Sequence, residues 1–267
     1  MTSPKYTFNF LKRSAGIFNL NRLRKKYIQQ KKEESKKIRF FEDLEQFNTS
    51  KNNSENNIKT EDITLLPFLN DKTEFTSFDP HYIYHPAWAA RILSKTKPEF
   101  HIDISSTVSF CSIVSAFIPV HFYDYRPANI KLSNLAIAKG DLMALPFENS
   151  SVKSISCMHT IEHIGLGRYG DPIDYDGDVK AMNELQRVLA VNGTLLFVTP
   201  VGRRRIEFNA HRIYNFEDIT KAFGRLKLVE FSMIPDNFED AGLLLNPPPQ
   251  LVNSQDWGCG CFWFTKQ

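Results

Sequence analysis

The chain has 267 residues, of which 42% are hydrophobic and 24% are charged, with 12 glycines and 14 prolines. This composition excludes collagen-like, coiled-coil and wholly disordered proteins. Because one domain takes about 100–200 residues, the length favours one substantial domain with an appendage. The four cysteines are too sparse for a disulfide scaffold and include no CxxC pair, so we expect buried thiols in a reducing cytoplasm.

The net charge of +3 is distributed unevenly along the chain. Residues 1–39 hold 12 of the 33 basic residues and only 2 of the 30 acidic ones, a net charge of +10. The rest of the chain therefore carries 21 positive and 28 negative residues, a net charge of −7. A mildly acidic main domain argues against a groove for polyanions, so we expect no nucleic-acid partner.

The basic segment 1–47 has scattered apolar residues at mostly helical spacing, which predicts a basic amphipathic extension. It is either a solvated helix that docks on a protein surface or a helix that lies on the inner face of an anionic membrane. The sequence has no secretory leader and no run of about 18–20 apolar residues, so we expect a cytoplasmic protein, with peripheral membrane contact as the alternative. It carries no signal for an oligomeric state.

Residues 48–72 are polar and Asn-rich, which predicts a linker, and residues 73–267 hold nearly all dense apolar segments. In that domain short apolar runs alternate with helix-length segments. The predicted strands are 100–104, 120–124, 135–138, 153–158, 194–198, 226–233 and 259–265, and the predicted helices are 108–117, 177–190 and 216–223. This alternation predicts an α/β fold with a mostly parallel, doubly wound sheet.

Acidic residues stand at or just after three successive predicted strands. They are Asp103, Asp124 and Asp141. A single aspartate after a strand is usually a turn or helix cap. Since ligands of such sheets bind beyond the carboxyl ends of the strands, three in series favour a nucleoside-type ligand with ribose hydroxyls and an amino group.

Several longer stretches resemble class I S-adenosylmethionine-dependent methyltransferases. They are HIDISS, FYDYRP, GDLMALPFENSSVKSISCMHTIEHI and ELQRVLAVNGTLLFVTPVG. More narrowly, EHIGLGRYGDPIDYDGD, NAHRIY and GCGCFWF resemble the family called domain of unknown function 268. The resemblance covers residues 80–267. It implies a Rossmann-like, mostly parallel, seven-stranded sheet with an antiparallel C-terminal strand.

The resemblance also implies a cofactor, S-adenosylmethionine, and a set of residues that bind it. Asp103, Ser105 and Ser106 would lie near its methionine part, and Asp124 would bind the ribose. Asp141 and Leu142 would flank the adenine, and His159 would lie close to the cofactor at the end of the fourth strand.

One loop departs from the methyltransferase pattern. After the first strand these enzymes have a glycine-rich turn, because the backbone approaches the cofactor closely at positive φ. Here the loop is DISSTVS, without glycine. Small serines still permit close approach, but the departure supports an alternative in which the domain is a non-catalytic scaffold.

The segment His159-x-x-Glu162-His163 matches the HxxEH pattern of zinc proteases. That chemistry needs both imidazoles on one helix face. Because His159 ends a predicted strand, we expect no metal there. Glu162, His163 and His211 are instead the candidate groups that accept a proton from the methyl acceptor.

A long loop, residues 165–178, holds four aspartates and is either a substrate lid or a solvated loop. Arg168 and Asp171 in this loop, with Arg203 and Arg212 after the fifth strand, are candidate substrate-binding residues. The sequence thus predicts methyl transfer from S-adenosylmethionine to a small polar acceptor, in particular an oxygen of a sugar or glycan precursor.

Overall fold

The computed structural model describes the backbone of residues 5–50 and 63–267, and side chains from residue 22 onward within these ranges. The chain forms two compact units, Met1–Ser77 and Phe78–Gln267. We describe each by itself.

The first unit contains one long helix, α1 (Lys5–Ser50), which covers the predicted basic extension. The side chains of residues 1–21, which carry part of the predicted amphipathic pattern, lie outside the described residues. Residues 63–77 have no regular secondary structure and contact α1 through Lys36 Nζ, 2.5 Å from Asn70 Oδ1. Residues 51–62 of the predicted linker lie outside the described residues. No helix in the described part of the chain is long and apolar enough to cross a bilayer.

The second unit is built on an eight-stranded sheet. Its strands are β1 (His101–Ile104), β2 (Val120–Asp124), β3 (Leu135–Lys139), β4 (Val152–Met158), β5 (Leu189–Val201), β8 (Leu226–Ile234), β9 (Leu244–Leu245) and β10 (Gly258–Lys266). They are arranged in the order β3-β2-β1-β4-β5-β10-β8-β9. A separate hairpin pairs β6 (Arg205–Glu207) with β7 (His211–Ile213). Strands β1 to β5 are parallel, and β10 is antiparallel to both β5 and β8. The predicted Rossmann-like sheet with an antiparallel C-terminal strand is confirmed, and β9 is a short addition at its edge.

Helices cover both faces of this sheet. They are α2 (Pro80–Thr96), α3 (Val108–Val114), α4 (Gly177–Val188), α5 (Phe216–Ala222), α6 (Phe238–Ala241) and α7 (Pro249–Ser254). One buried cluster joins α2 and α3 to the sheet through side chains such as Trp88 and Val114. The other joins α4 and α5 to the opposite face through Leu185 and Ile219. Two cores on one sheet are what a doubly wound fold requires.

Helix α2 is absent from the sequence prediction, although its start carries a strong signal. The side chain of Asp79 accepts hydrogen bonds from the backbone N–H groups of His81 and Tyr82, at 3.0 and 3.4 Å, and Pro80 occupies the first helical position. The predicted helix 216–223 corresponds to α5, which begins with a reciprocal capping box between Asn215 and Asp218. Helix α4 ends at Val188, two residues before the predicted end at residue 190, and Leu189 already pairs with β4. The Asn192-Gly193 turn therefore lies within β5.

The sheet order reverses direction at β1, which lies between β2 and β4. At such a point the loops that follow neighbouring strands diverge to opposite faces and leave a crevice at the carboxyl ends. The candidate site lies in that crevice.

Candidate active site

A cavity of about 430 Å³ opens beyond the carboxyl ends of β1, β2 and β4. Eleven of the fourteen predicted site residues line it: Ser105, Ser106, Asp124, Asp141, Leu142, His159, Glu162, His163, Arg168, Asp171 and His211. The other three, Asp103, Arg203 and Arg212, do not. The volume is within the usual range for a small-molecule site, about 300–1,000 Å³.

One wall, the carboxylate side, consists of Ser105, Ser106, Asp124 and Asp141. Asp124 Oδ1 accepts a hydrogen bond from Arg126 N at 2.7 Å, and Asp141 Oδ1 accepts one from Met143 N at 2.8 Å. Each carboxylate thus fixes its own loop with one oxygen. The Oδ2 atoms have no hydrogen-bond partner among the residues that the structure describes, so both remain free to accept from a ligand.

The glycine-less loop adopts the backbone geometry for which glycine is favoured. Ser105 lies in the left-handed region with φ of 54°. Its backbone N–H donates to Tyr123 O at 2.8 Å, and the Ser106 hydroxyl accepts from Met158 N at 3.1 Å. The loop therefore forms its turn with Ser105 in a strained left-handed conformation. Such strained residues are typical of functional sites.

Asp103 holds this loop from beneath instead of lining the cavity. It is fully buried, accepts a hydrogen bond from Ser106 N at 3.0 Å, and accepts another from the Ser156 hydroxyl. Burial raises the pKa of Asp103 to about 6, although the hydrogen bonds from Ser156 and Ser106 oppose the shift. The structure thus places Asp103 behind the predicted cofactor-binding surface.

The opposite wall, the histidine side, consists of His81, His159, Glu162, His163 and His211. With His85 immediately behind it, this region holds five of the seven histidines of the chain. His159 also has positive φ, 53°, and its Nδ1 lies 2.9 Å from Glu162 Oε1. Burial alone would raise the pKa of Glu162, but the hydrogen bond from His159 helps to lower it overall. Glu162 is therefore an ionised, buried acceptor.

His163 lies on the other side of Glu162, with Nε2 3.8 Å from Glu162 Oε1. Its Nδ1 lies 2.7 Å from Ala210 O, which only accepts, and 3.3 Å from Arg168 Nη1, which only donates. The closer contact assigns the proton to Nδ1 and leaves the lone pair on Nε2. Burial lowers the pKa of His163, which favours the neutral imidazole. His159 and His163 thus contact the glutamate between them and do not form the paired ligands of a zinc protease.

Two contributors to this wall are missing from the sequence prediction, His81 and Trp257. His81 is in the first turn of α2, and its Nε2 lies 3.1 Å from Trp257 O. The Trp257 ring contacts His211 edge-on, with ring centroids 4.1 Å apart. The Asp79-Pro80 cap could have indicated α2, but no local pattern indicates that Trp257 reaches this cavity.

The loop from Gly165 to Asp178 covers one end of the cavity. Asp171 Oδ2 accepts from Gly165 N at 2.8 Å, so this predicted substrate-binding residue also shapes its own loop. Arg168 Nη1 donates to Ala210 O at 2.8 Å, and its guanidinium lies 5.2 Å from the Tyr169 ring centroid. Arg126 approaches the same ring at 4.3 Å. Two cations and one aromatic ring therefore form this end of the cavity.

The two remaining arginines are engaged elsewhere, contrary to the expected position at the substrate. Buried Arg212 donates to Ile164 O at 2.6 Å and Tyr175 O at 3.1 Å, and its Nε lies 3.5 Å from Asp178 Oδ2. It fastens the two ends of the 165–178 loop. Arg203 is exposed and pairs with Asp256. Neither side chain faces the cavity, because these partners hold both outside it.

Residues 141–229, a third of the chain, match the family described as "Caenorhabditis protein of unknown function, DUF268". The predicted resemblance to this family is confirmed over that segment. Among curated proteins the sequence has no match. The matched segment contains most of the histidine side, including Glu162, His163 and His211.

Several solved structures are similar to about two thirds of the chain. The YcgJ protein from Bacillus subtilis is 15% identical, over 68% of this chain and 99% of that one, with a TM-score of 0.45. A TehB-like SAM-dependent methyltransferase from Corynebacterium glutamicum is 18% identical, over 69% and 89%, with a TM-score of 0.43. The Burkholderia thailandensis 1,6-didemethyltoxoflavin-N1-methyltransferase, with bound S-adenosylhomocysteine, is 8% identical, over 68% and 79%, with a TM-score of 0.44. Similarity at this level says nothing about substrate or residue roles.

Proposed function

We propose that the second unit is an S-adenosylmethionine-dependent methyltransferase that acts on a small polar acceptor. The observation that carries the proposal is the position of the cavity. It lies where the sheet order reverses, and the loops after β1, β2 and β3 each present a serine or an aspartate to it. In sheets of this kind, nucleotide-type ligands bind at that point.

The residues present fit the cofactor. Free Oδ2 atoms on Asp124 and Asp141 are acceptors for ribose hydroxyls and an adenine amino group. Gly140 precedes Asp141 and packs closely on Tyr123, where an added Cβ would lie 2.9 Å from Tyr123 Cβ. Ser105 keeps the left-handed turn that brings backbone close to a ligand. We assign the ribose to Asp124, the adenine to Asp141 and Leu142, and the methionine part to Ser105, Ser106 and His159.

When bound, the cofactor supplies a methyl group that its sulfonium already activates, so the protein mainly aligns the two reactants. The chain adds an acceptor for the proton that a hydroxyl loses. His163 suits this role because its Nε2 lone pair is free and its neutral form is favoured. Glu162, 3.8 Å away, stabilises the imidazolium that results. His211, held 2.9 Å from Glu207 Oε2, is the second candidate base.

The acceptor end of the cavity supports a sugar or glycan precursor as substrate. The Trp257 ring in the lining suits a sugar ring, and Arg168 and Arg126, which lie over the Tyr169 ring, suit an anionic group such as a carboxylate or phosphate. A neutral base supports an oxygen as the methylated atom, because a hydroxyl is a weak nucleophile until it loses its proton.

Calorimetric titration tests the proposal directly. S-adenosylmethionine and S-adenosylhomocysteine should each bind the full-length protein at one site, and ATP at the same concentration should bind more weakly, because its triphosphate replaces the methionine part assigned to Ser105, Ser106 and His159. Absence of heat with both cofactor forms at millimolar concentration would overturn the proposal.

A further inference from the structure

One cluster on the histidine side contains two residues, His81 and Cys259, that have no role in the proposed methyl transfer, together with His159. Donor atoms of His81, His159 and Cys259 lie within 4.8 Å of one another, and they form the only such group of three among the residues that the structure describes. The three side chains come from separate elements: the first turn of α2, the end of β4 and the start of β10. Folding therefore brings together two imidazoles and a thiol that are up to 178 positions apart in the sequence.

Two separations in the cluster are close to those of ligands on one tetrahedral ion. With Zn–N of about 2.0–2.1 Å and Zn–S of about 2.3 Å, tetrahedral angles place a nitrogen and a sulfur about 3.6 Å apart, and two imidazole centroids about 5 Å apart. His159 Nε2 lies 3.3 Å from Cys259 Sγ. The ring centroids of His81 and His159 are 5.3 Å apart, with the rings inclined by 14°.

Each imidazole is also held by its other nitrogen, as metal-binding histidines are. His159 Nδ1 faces the carboxylate of Glu162 at 2.9 Å, and His81 Nε2 faces the carbonyl of Trp257 at 3.1 Å. Since a carboxylate and a carbonyl both accept, these partners assign the ring protons to those two nitrogens. The lone pairs that remain are on His159 Nε2 and His81 Nδ1. In metal sites, a carboxylate or carbonyl that accepts from the other ring nitrogen fixes the tautomer and the orientation of a histidine ligand in the same way.

A simple buried hydrogen bond between Cys259 and His159 would account for only part of the cluster. It leaves unexplained why a second imidazole, with its own acceptor, is positioned against the same thiol.

We propose that His81, His159 and Cys259 bind a zinc ion whose fourth position faces the cavity. Two imidazoles and a thiolate suit borderline-soft ions and not Mg²⁺ or Ca²⁺, which prefer oxygen ligands. His81 and His159 line the cavity, whereas Cys259 lies behind them, so three protein ligands leave one side open. On binding, the Cys259 thiol releases its proton to solvent and forms the Zn–S bond as a thiolate. Three protein ligands with one open position are the pattern of zinc sites that take water or substrate.

Cobalt substitution tests the site without any assay of activity. The full-length protein is dialysed against a chelator, titrated with Co²⁺ under anaerobic conditions, and then challenged with Zn²⁺. We expect one Co²⁺ per chain, a thiolate-to-cobalt charge-transfer band in the near ultraviolet, and loss of that band as Zn²⁺ displaces the probe. Glu162→Gln should raise the dissociation constant by about 10–100-fold, because the outer partner of a ligand is lost.

Two cysteine variants identify the sulfur. Cys259→Ser should abolish the charge-transfer band, whereas Cys261→Ser, two residues along the same strand and equally buried, should retain it. His81→Ala should weaken Co²⁺ binding further than Glu162→Gln. Wild-type protein without the band, or a band that survives Cys259→Ser, would overturn the proposal. The wild-type spectrum decides by itself if circular dichroism shows that a variant is unfolded.

Discussion

The two walls of the cavity are assembled in different ways. The carboxylate side comes from loops that directly follow β1, β2 and β3, and its residues lie within 37 positions of one another, from Ser105 to Asp141. The histidine side brings together α2, the end of β4 and the hairpin strand β7, with Trp257 beside it. The first wall depends on local turns, whereas the second depends on distant parts of the chain meeting correctly. The first should therefore tolerate changes elsewhere in the domain better than the second.

Arg212→Ala tests this difference with the largest expected effect on stability. Removal of Arg212 leaves buried Asp178 without its charged partner and frees two carbonyls of the covering loop, so the free energy of unfolding should fall by about 3–5 kcal/mol. Urea denaturation measures the change. Arg203→Ala is the matched control, because its pair with Asp256 is exposed and contributes about 0–1 kcal/mol. Equal losses in the two variants would contradict the role given to Arg212.

The second prediction concerns pH and the carboxylate side. The pKa of Asp103 is about 6 in the folded protein and about 3.9 in an unfolded chain, so the folded state favours the protonated form. The contribution of protonated Asp103 to the free energy of unfolding is complete below about pH 4 and is lost as the pH rises through about 6. Between pH 4 and 7 the wild type should lose about 2–3 kcal/mol of stability relative to Asp103→Asn. A constant difference between the two proteins over this range would show that Asp103 is not the titrating group.

The third prediction compares adjacent serines of the same loop. Ser105→Gly loses a hydroxyl bond to Tyr123 O but relieves left-handed strain, so stability should change by less than about 0.5 kcal/mol. Ser106→Gly loses its bond to Met158 N and relieves nothing, so stability should fall by about 1–2.5 kcal/mol. Thermal unfolding of both variants gives the comparison. A larger loss for Ser105→Gly would mean that Ser105 is not strained.

The smallest effect is expected in the titration of a single side chain. Burial lowers the pKa of His163, so its imidazole resonances should titrate below the usual value for histidine, about 6.5. NMR of histidine-labelled protein measures this, with His163→Gln to assign the signal. Titration at or above 6.5 would remove the reason for choosing His163 as the base.

Much of the fold could be predicted from the sequence because its signals are local. Apolar runs indicated seven strands of the large sheet, and the Asn215–Asp218 cap indicated the start of α5. The aspartates at strand ends could be predicted for the same reason, since a parallel sheet brings the carboxyl ends of its strands to one edge.

The histidine side could be predicted only in part. Glu162 and His163 follow β4 directly. The 80–96 segment, with His81 in its first turn, carries helix signals that the prediction missed, namely the Asp79-Pro80 start and buried residues at helical spacing. Trp257 and Cys259 reach the site because β10 inserts between β5 and β8, a pairing that no local pattern encodes. Arg212 was expected at the substrate because it follows the fifth strand together with other arginines. Its buried carbonyl partners, Ile164 O and Tyr175 O, cannot be identified from sequence spacing.

Calorimetric titration of S-adenosylhomocysteine into two single variants tests the central claim most directly, that one wall binds cofactor and the other moves a proton. Asp124→Ala should weaken binding by about 1.5–3 kcal/mol, the cost of a lost charged hydrogen bond, or roughly 10–150-fold. His163→Gln should leave the dissociation constant within about twofold of wild type, because its free nitrogen is assigned to the acceptor and not to the cofactor. Unchanged affinity in Asp124→Ala, or an equal loss in both variants, would contradict the account.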